Sequence, residues 1–156
     1  MAEATTLDEA DRRILRALQA DGRAPVTTLA EEVGLSATPC LRRIRRMEEA
    51  GIIRGYRADV DPRRLGLAVQ AFVQVSLSSH AEKQVAAFHR ALEACPEVVA
   101  AYAMSGAMDY LLHILARDLD AYGDFTMNTL LRLPGVKETR SAFVLGVPKP
   151  PAGVPT

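Results

Sequence analysis

Residues 34–51, Gly-Leu-Ser-Ala-Thr-Pro-Cys-Leu-Arg-Arg-Ile-Arg-Arg-Met-Glu-Glu-Ala-Gly, decide the fold of the N-terminal third of the chain. Gly34 suits the end of a preceding helix, because a left-handed residue there closes a helix at little cost. Ser36 reads as an N-cap whose hydroxyl accepts from the amides of the next turn. Pro39 sits in the first turn, where its missing N–H is not needed. The helix that follows runs to about Ala50 and stops at Gly51. Leu41, Ile44 and Met47 fall on one arc of it, and Arg42, Arg43, Arg45 and Arg46 on the opposite arc.

Working outward, Leu7, Ile14, Leu15 and Leu18 share one face of a helix over Asp8–Asp21, ended by Gly22. Pro25 opens a shorter helix in which Val26, Leu29, Ala30 and Val33 repeat at helical spacing. Downstream, Ile52–Val60 reads as two short strands around Gly55, rich in Ile, Tyr and Val. Helix, short helix, glycine turn and helix make a helix-turn-helix, spanning about 26–45, and the hairpin makes it a winged one.

A run of charges is most often a solvated helix face. Here the exposed residues are all Arg until Glu48 and Glu49, and the helix begins with small polar residues able to enter a major groove. The pattern therefore predicts binding to double-stranded DNA through Ser36, Thr38, Pro39, Arg42, Arg43 and Arg46, with Arg45 at the edge of the arc.

The stretch Asp61–Gly66 links this unit to a second. Val69, Ala71, Val73, Val75 and Leu77 alternate with mostly polar residues, as in a half-buried strand. An amphipathic helix over Glu82–Ala94, strands at Val98–Met104 and Tyr110–Ala116, a helix over Asp118–Leu131 and a strand over Val136–Val147 follow. The order is βαββαβ, a ferredoxin-like sandwich, so the fold class is α+β. The boundaries read 1–62 for the winged helix-turn-helix, 63–67 for a linker, 68–147 for the second domain and 148–156 for a Pro-rich tail expected to fray. Two helices cover one face of a four-stranded sheet. Phe72, flanked by Gln70 and Gln74, lies on the other, which predicts a partner subunit and at least a dimer.

The chain has 156 residues, with 19 basic and 19 acidic side chains. Neither half is basic overall, so any nucleic-acid footprint is local to the arginine cluster. No apolar run approaches the roughly 18 residues of a membrane span, and the polar, acidic N-terminus is unlike a signal peptide. The expectation is a soluble cytoplasmic protein. His80, His89 and His113 are scattered, without convergent ligands for a metal. No phosphate loop or nucleophile motif is present, and the chain reads as no enzyme. Cys40 reads as a packing residue, with a redox-sensing thiol as the alternative, and Cys95 as core.

The sequence resembles the Lrp/AsnC family of leucine- and asparagine-responsive transcription factors. The matching residues include Leu7-Asp8 with Asp11, Asp21-Gly22-Arg23, Val33-Gly34-Leu35-Ser36, Pro39-Cys40, Arg43 and Gly51-Ile52-Ile53. Farther on they include Gly106 with Asp109-Tyr110-Leu111-Leu112, Leu133-Pro134-Gly135-Val136 and Thr139 with Ser141. The resemblance spans about 7–147. It implies a nucleoid-associated regulator without a cofactor, whose second domain senses an amino acid or related small metabolite. It also implies dimers that assemble further, to octamers or another higher oligomer. The effector cleft would take Ser105, Gly106, Met108, Asp109 and Tyr110 from one subunit and Thr139 and Ser141 from a neighbour. Ala107 departs from the acidic or polar residue the family often has after the glycine. A plain tight turn also accounts for Gly106 and Asp109, and a DNA-organising oligomer without an effector is the alternative function.

Overall fold

The computed structural model describes residues 6–156. Met1–Thr5, the start of the expected first domain, lie outside the described residues. The order is α1 (Glu9–Ala20), α2 (Val26–Val33), α3 (Ala37–Glu49), a 3₁₀ turn at Pro62–Leu65, β1 (Val69–Leu77), α4 (Glu82–Glu93), β2 (Val98–Ala103), β3 (Tyr110–Ala116), α5 (Leu119–Asn128), a 3₁₀ turn at Leu130–Arg132 and β4 (Val136–Phe143). Two compact units result. One runs through Asp59 and includes Lys149–Thr156; the other is Val60–Pro148.

In the first unit α1 opens with a capping box. The Asp8 side chain accepts from the Asp11 N–H at 2.8 Å, and Asp11 Oδ2 accepts from the Asp8 N–H at 3.1 Å, so two orphan amides of the first turn are satisfied. Gly34 ends α2 in the left-handed region, φ 69° and ψ 38°. Ile14, Leu29, Ala30, Val33, Cys40, Ile44 and Met47 form the core between the three helices. Ser36 occupies the N-cap of α3 with extended backbone, but its hydroxyl makes no capping bond. The helix start predicted from Ser36 is present; the hydroxyl's capping role is not.

The expected wing does not form. No strand is assigned between Gly51 and Asp61. The reason lies in the backbone donors: the Ile52 and Ile53 N–H groups both donate to the Met47 carbonyl, at 2.9 and 3.1 Å, finishing α3. Both isoleucines pack against the helical core. What remains, Arg54–Val60, is too short and charged to sustain an isolated hairpin. Tyr56 instead donates its hydroxyl to Glu48 at 2.9 Å. The tail also departs from expectation: its main chain is hydrogen-bonded to Gln19 and Arg16 of α1.

The second unit is one antiparallel sheet in the order β2-β3-β1-β4, the ferredoxin-like arrangement. Residues opposite one another share a face. Ala71, Val73 and Val75 of β1 and Leu112 and Ile114 of β3 point to the side covered by α4 and α5, where they are fully buried with Phe88 and Leu130. Each of the Val, Leu, Ile and Phe side chains contributes about 1.5–3 kcal/mol by leaving water. The opposite face carries Phe72 and Gln74 of β1 opposite His113 and Leu111 of β3. The Phe72 and His113 rings stack at 4.8 Å between centroids, 19° from parallel.

Candidate DNA-binding and effector sites

The geometry of α3 follows from which side each residue takes. Cys40, Ile44 and Met47 are buried. Thr38 and Arg42 lie exposed at its N-terminal half and Arg45 one turn on, with Pro39 half-buried between them and the core. Arg42 and Arg45 have no ion-pair partner among the described residues. Arg43 and Arg46 occupy the flank next to α1 and are engaged there. Arg43 Nη1 donates to Asp8 Oδ2 at 2.7 Å and to Asp11 Oδ1 at 2.9 Å, and Arg46 Nη2 donates to Asp11 Oδ2 at 2.5 Å. Asp11 has no solvent exposure.

A buried carboxylate is tolerated only when paired and hydrogen-bonded, and these two arginines supply the counter-charge. The Asp11 N–H, and after it the Arg43 guanidinium, hold the Asp8 carboxyl at about 2. The Asp8 carboxylate, and after it Asp11, push the Arg43 pKa up. The four-arginine arc thus divides: Arg42 and Arg45 face outward unpaired, while Arg43 and Arg46 brace α3 against α1 with one nitrogen each. Burial pushes the Cys40 thiol up, which fits a packing residue and not a reactive thiolate.

The second site is the turn between β2 and β3. Gly106 has φ 111°, a conformation few side chains tolerate. Asp109 closes the turn: its N–H donates to the Val75 carbonyl at 3.0 Å and its carbonyl accepts from the Met104 N–H at 2.9 Å. Its side chain reaches the end of β1, where Oδ2 accepts from the Leu77 N–H at 2.6 Å and Oδ1 lies 2.7 Å from His80 Nε2. The Leu77 N–H, then His80, draw the Asp109 pKa down. Ser105 is exposed and Met108 half-buried beside the turn. Tyr110 is buried, with its hydroxyl 2.8 Å from His89 Nε2 of α4, and burial, then Asp109, raises its pKa.

Thr139 and Ser141 belong to edge strand β4. Thr139 lies in the same row as Tyr110, with Val75 between them, two strand spacings or about 10 Å away. Ser141 accepts from the Tyr122 hydroxyl at 2.5 Å. Within one chain the turn and the β4 hydroxyls therefore do not meet. Sequence reasoning missed Asp11, Leu77 and His80 as site partners. The Asp8/Asp11 spacing of a capping box was a signal for the first; nothing in the sequence links His80 to Asp109, 29 residues on.

Comparison with known proteins places both units. The AsnC-type helix-turn-helix domain matches residues 7–48, and the Lrp/AsnC ligand binding domain matches residues 70–154. The chain is 45% identical over 139 residues to the Bkd operon transcriptional regulator of Pseudomonas aeruginosa, covering 89% of this chain and 91% of that protein. It is 42% identical to the leucine-responsive regulatory protein of Escherichia coli, covering 89% of this chain and 85% of that one. Among solved structures, a Neisseria meningitidis transcriptional regulator in complex with L-Met is similar with a TM-score of 0.88 and 40% identity, covering 92% of this chain and 93% of that chain.

Proposed function

The chain belongs to the Lrp/AsnC family of transcriptional regulators, and on that premise we propose how it meets DNA and which effector it answers to. DNA is contacted by Ser36, Thr38 and Pro39 at the start of α3 and by Arg42 and Arg45 along its outward face. Arg43 and Arg46 reach phosphates with the nitrogens that Asp8 and Asp11 leave available. The observation that carries this reading is a pair of outward guanidinium groups, Arg42 and Arg45, with no ion-pair partner among the described residues, on a helix whose Arg43 and Arg46 are braced internally. Arginine reads guanine edges bidentately and neutralises phosphates. The free Ser36 hydroxyl supports the same reading, since no capping bond competes for it.

The effector is an apolar α-amino acid bound at the β2–β3 turn. Two relatives support the class: one is named for its response to leucine, and another is solved with L-Met. The turn at Ser105–Tyr110 offers backbone amides for the carboxylate and Met108 as an adaptable apolar contact. Asp109 acts mainly by holding the turn, because both of its oxygens are engaged within the chain. Thr139 and Ser141 come from a neighbouring subunit, in keeping with their separation from the turn within one chain. The subunits associate through the sheet face of Phe72 and His113 as a dimer that assembles further, and the protein works on DNA in the cytoplasm.

The test is isothermal calorimetry with L-leucine, L-methionine and L-aspartate, paired with binding to an operator selected from a random duplex library. Saturable uptake of the apolar amino acids that alters operator affinity is the expected result. Sequence-indifferent DNA binding with no amino-acid uptake would favour a DNA-organising oligomer instead.

A further inference from the structure

The main chain of Val154 is gripped from both sides by one side chain. Gln19 Oε1 accepts from the Val154 N–H at 2.6 Å, and Gln19 Nε2 donates to the Val154 carbonyl at 3.1 Å. A glutamine amide carries donor and acceptor in one plane, so it stands in for the neighbouring strand of a β-bridge. One turn earlier on the same face, Arg16 Nη1 donates to the main-chain oxygen of Thr156 at 2.7 Å, while Arg16 Nη2 is fixed by Glu9 at 2.8 Å. Val154 itself is 71% exposed. The grip is therefore on backbone and not on an apolar anchor.

Gly153 is fitted to the same Gln19 side chain. A Cβ there would fall 2.3 Å from Gln19 Oε1 and 3.1 Å from Gln19 Cβ. A larger residue at 153 would displace the Gln19 amide tip and so take it out of the bridge. Pro148, Pro150 and Pro151 precede the segment and Pro155 lies within it. Proline restricts the free chain to extended conformations, which lowers the entropy lost on docking.

We propose that the outer face of α1, Arg16 with Gln19, is a docking surface for an extended proline-rich segment, and that the chain's own Gly153–Thr156 occupies it as a releasable strap. The consequence is topological. The chain leaves the first unit after Asp59 and re-enters it at Lys149. With the strap docked, the helix-turn-helix unit is tethered at two points of the chain; with it released, at one. The strap follows β4 closely: five residues separate Phe143 from Lys149. A change at β4 therefore has a short covalent path to α1.

Amide hydrogen exchange on the full chain tests this, and it needs neither DNA nor an effector, so it stands apart from the proposed function. The Val154 amide is expected to exchange at least about fivefold slower than in a free peptide, the factor that one ordinary net hydrogen bond confers. Gln19→Ala and Gly153→Val should each return it to the free-peptide rate while the Ile14 and Leu15 amides keep their protection. Free-peptide exchange in the unaltered protein, or protection surviving Gln19→Ala, overturns the proposal. A mixture of Gln19→Ala chains with chains lacking 149–156 separates the occupants. Protection recovered in that mixture would assign the strap to a second copy and overturn its assignment to the same chain; no recovery supports it.

Discussion

Arg46 Nη2 lies 2.5 Å from Oδ2 of Asp11, a carboxylate with no exposure to solvent. Arg43 completes the pairing from the other oxygen. Two residues of α3 thereby brace it against α1, and the same carboxylate closes the capping box of α1. Arg43→Ala would leave Asp11 with a single counter-charge and remove the bond to Asp8. The expected loss is about 1–3 kcal/mol of stability. For a domain of this size each kcal/mol lowers the melting temperature by roughly 4–8 °C. Differential scanning calorimetry of Arg43→Ala checks this; an unchanged melting temperature would show the pair to be idle.

Arg42→Ala and Arg45→Ala should behave in the opposite way. Neither side chain has an internal partner among the described residues, so melting temperature should be unchanged. Operator affinity should fall about tenfold or more if the contact is a bidentate guanine pair worth about 1–3 kcal/mol. If the contact is to phosphate, affinity should fall evenly across sequences and the salt slope should drop by about 1. Fluorescence anisotropy at two salt concentrations distinguishes the cases.

The sequence carried the α+β architecture because its periodicities are unambiguous: period 3.6 around Ile44 and Met47, period 2 from Ala71 to Leu77. It misread Ile52–Val60 because β-rich composition says nothing about where the amides go, and here the first two close α3 on Met47. The arginine arc was legible as a cluster but not as a division of labour. Only the fold brings Asp8 and Asp11 across to Arg43 and Arg46 and leaves Arg42 and Arg45 without an ion pair among the described residues. The Gly106 turn was legible as a turn. Its attachment to His80 and the Leu77 amide rests on strand pairing between distant segments, for which one sequence holds no local signal.

Acid should weaken the protein in two windows. Burial lowers the His113 pKa from its ordinary 6.5. A histidine whose folded value is depressed gives its full stabilisation above about 6.5, and that contribution is lost as pH falls below it. The ring also stacks on Phe72 and takes a 2.7 Å contact from Gln70, on the sheet face proposed for dimerisation. Sedimentation at pH 7.5 and 5.5 should show weaker association at the lower pH, and His113→Phe, which keeps the stack, should remove the difference. Asp8 and Asp109 act in the second window. Their lowered values contribute stability above about 4 that is lost as pH falls, for Asp8 down to about 2.

Asp109→Ala and Gly106→Val damage the β2–β3 turn by different routes, and the difference locates the effector. Asp109→Ala removes the acceptor of the Leu77 N–H and the partner of His80, so the turn loses its side-chain attachment to the end of β1 but keeps the main-chain bond from residue 109 to the Val75 carbonyl. Leaving a part-buried amide without its charged acceptor costs about 1–3 kcal/mol. Gly106→Val meets no neighbour within 4 Å of the added Cβ, but it forces a β-branched residue to φ 111°. Strain of that kind costs on the order of 1–3 kcal/mol. Both variants should keep operator affinity, since α3 lies in the other unit. Both should lose the response to L-leucine and L-methionine if the amino acid sits on this turn. Calorimetric uptake retained in both variants would move the effector elsewhere. Uptake lost in Gly106→Val but kept in Asp109→Ala would show that the backbone amides hold the ligand and that Asp109 is dispensable to it.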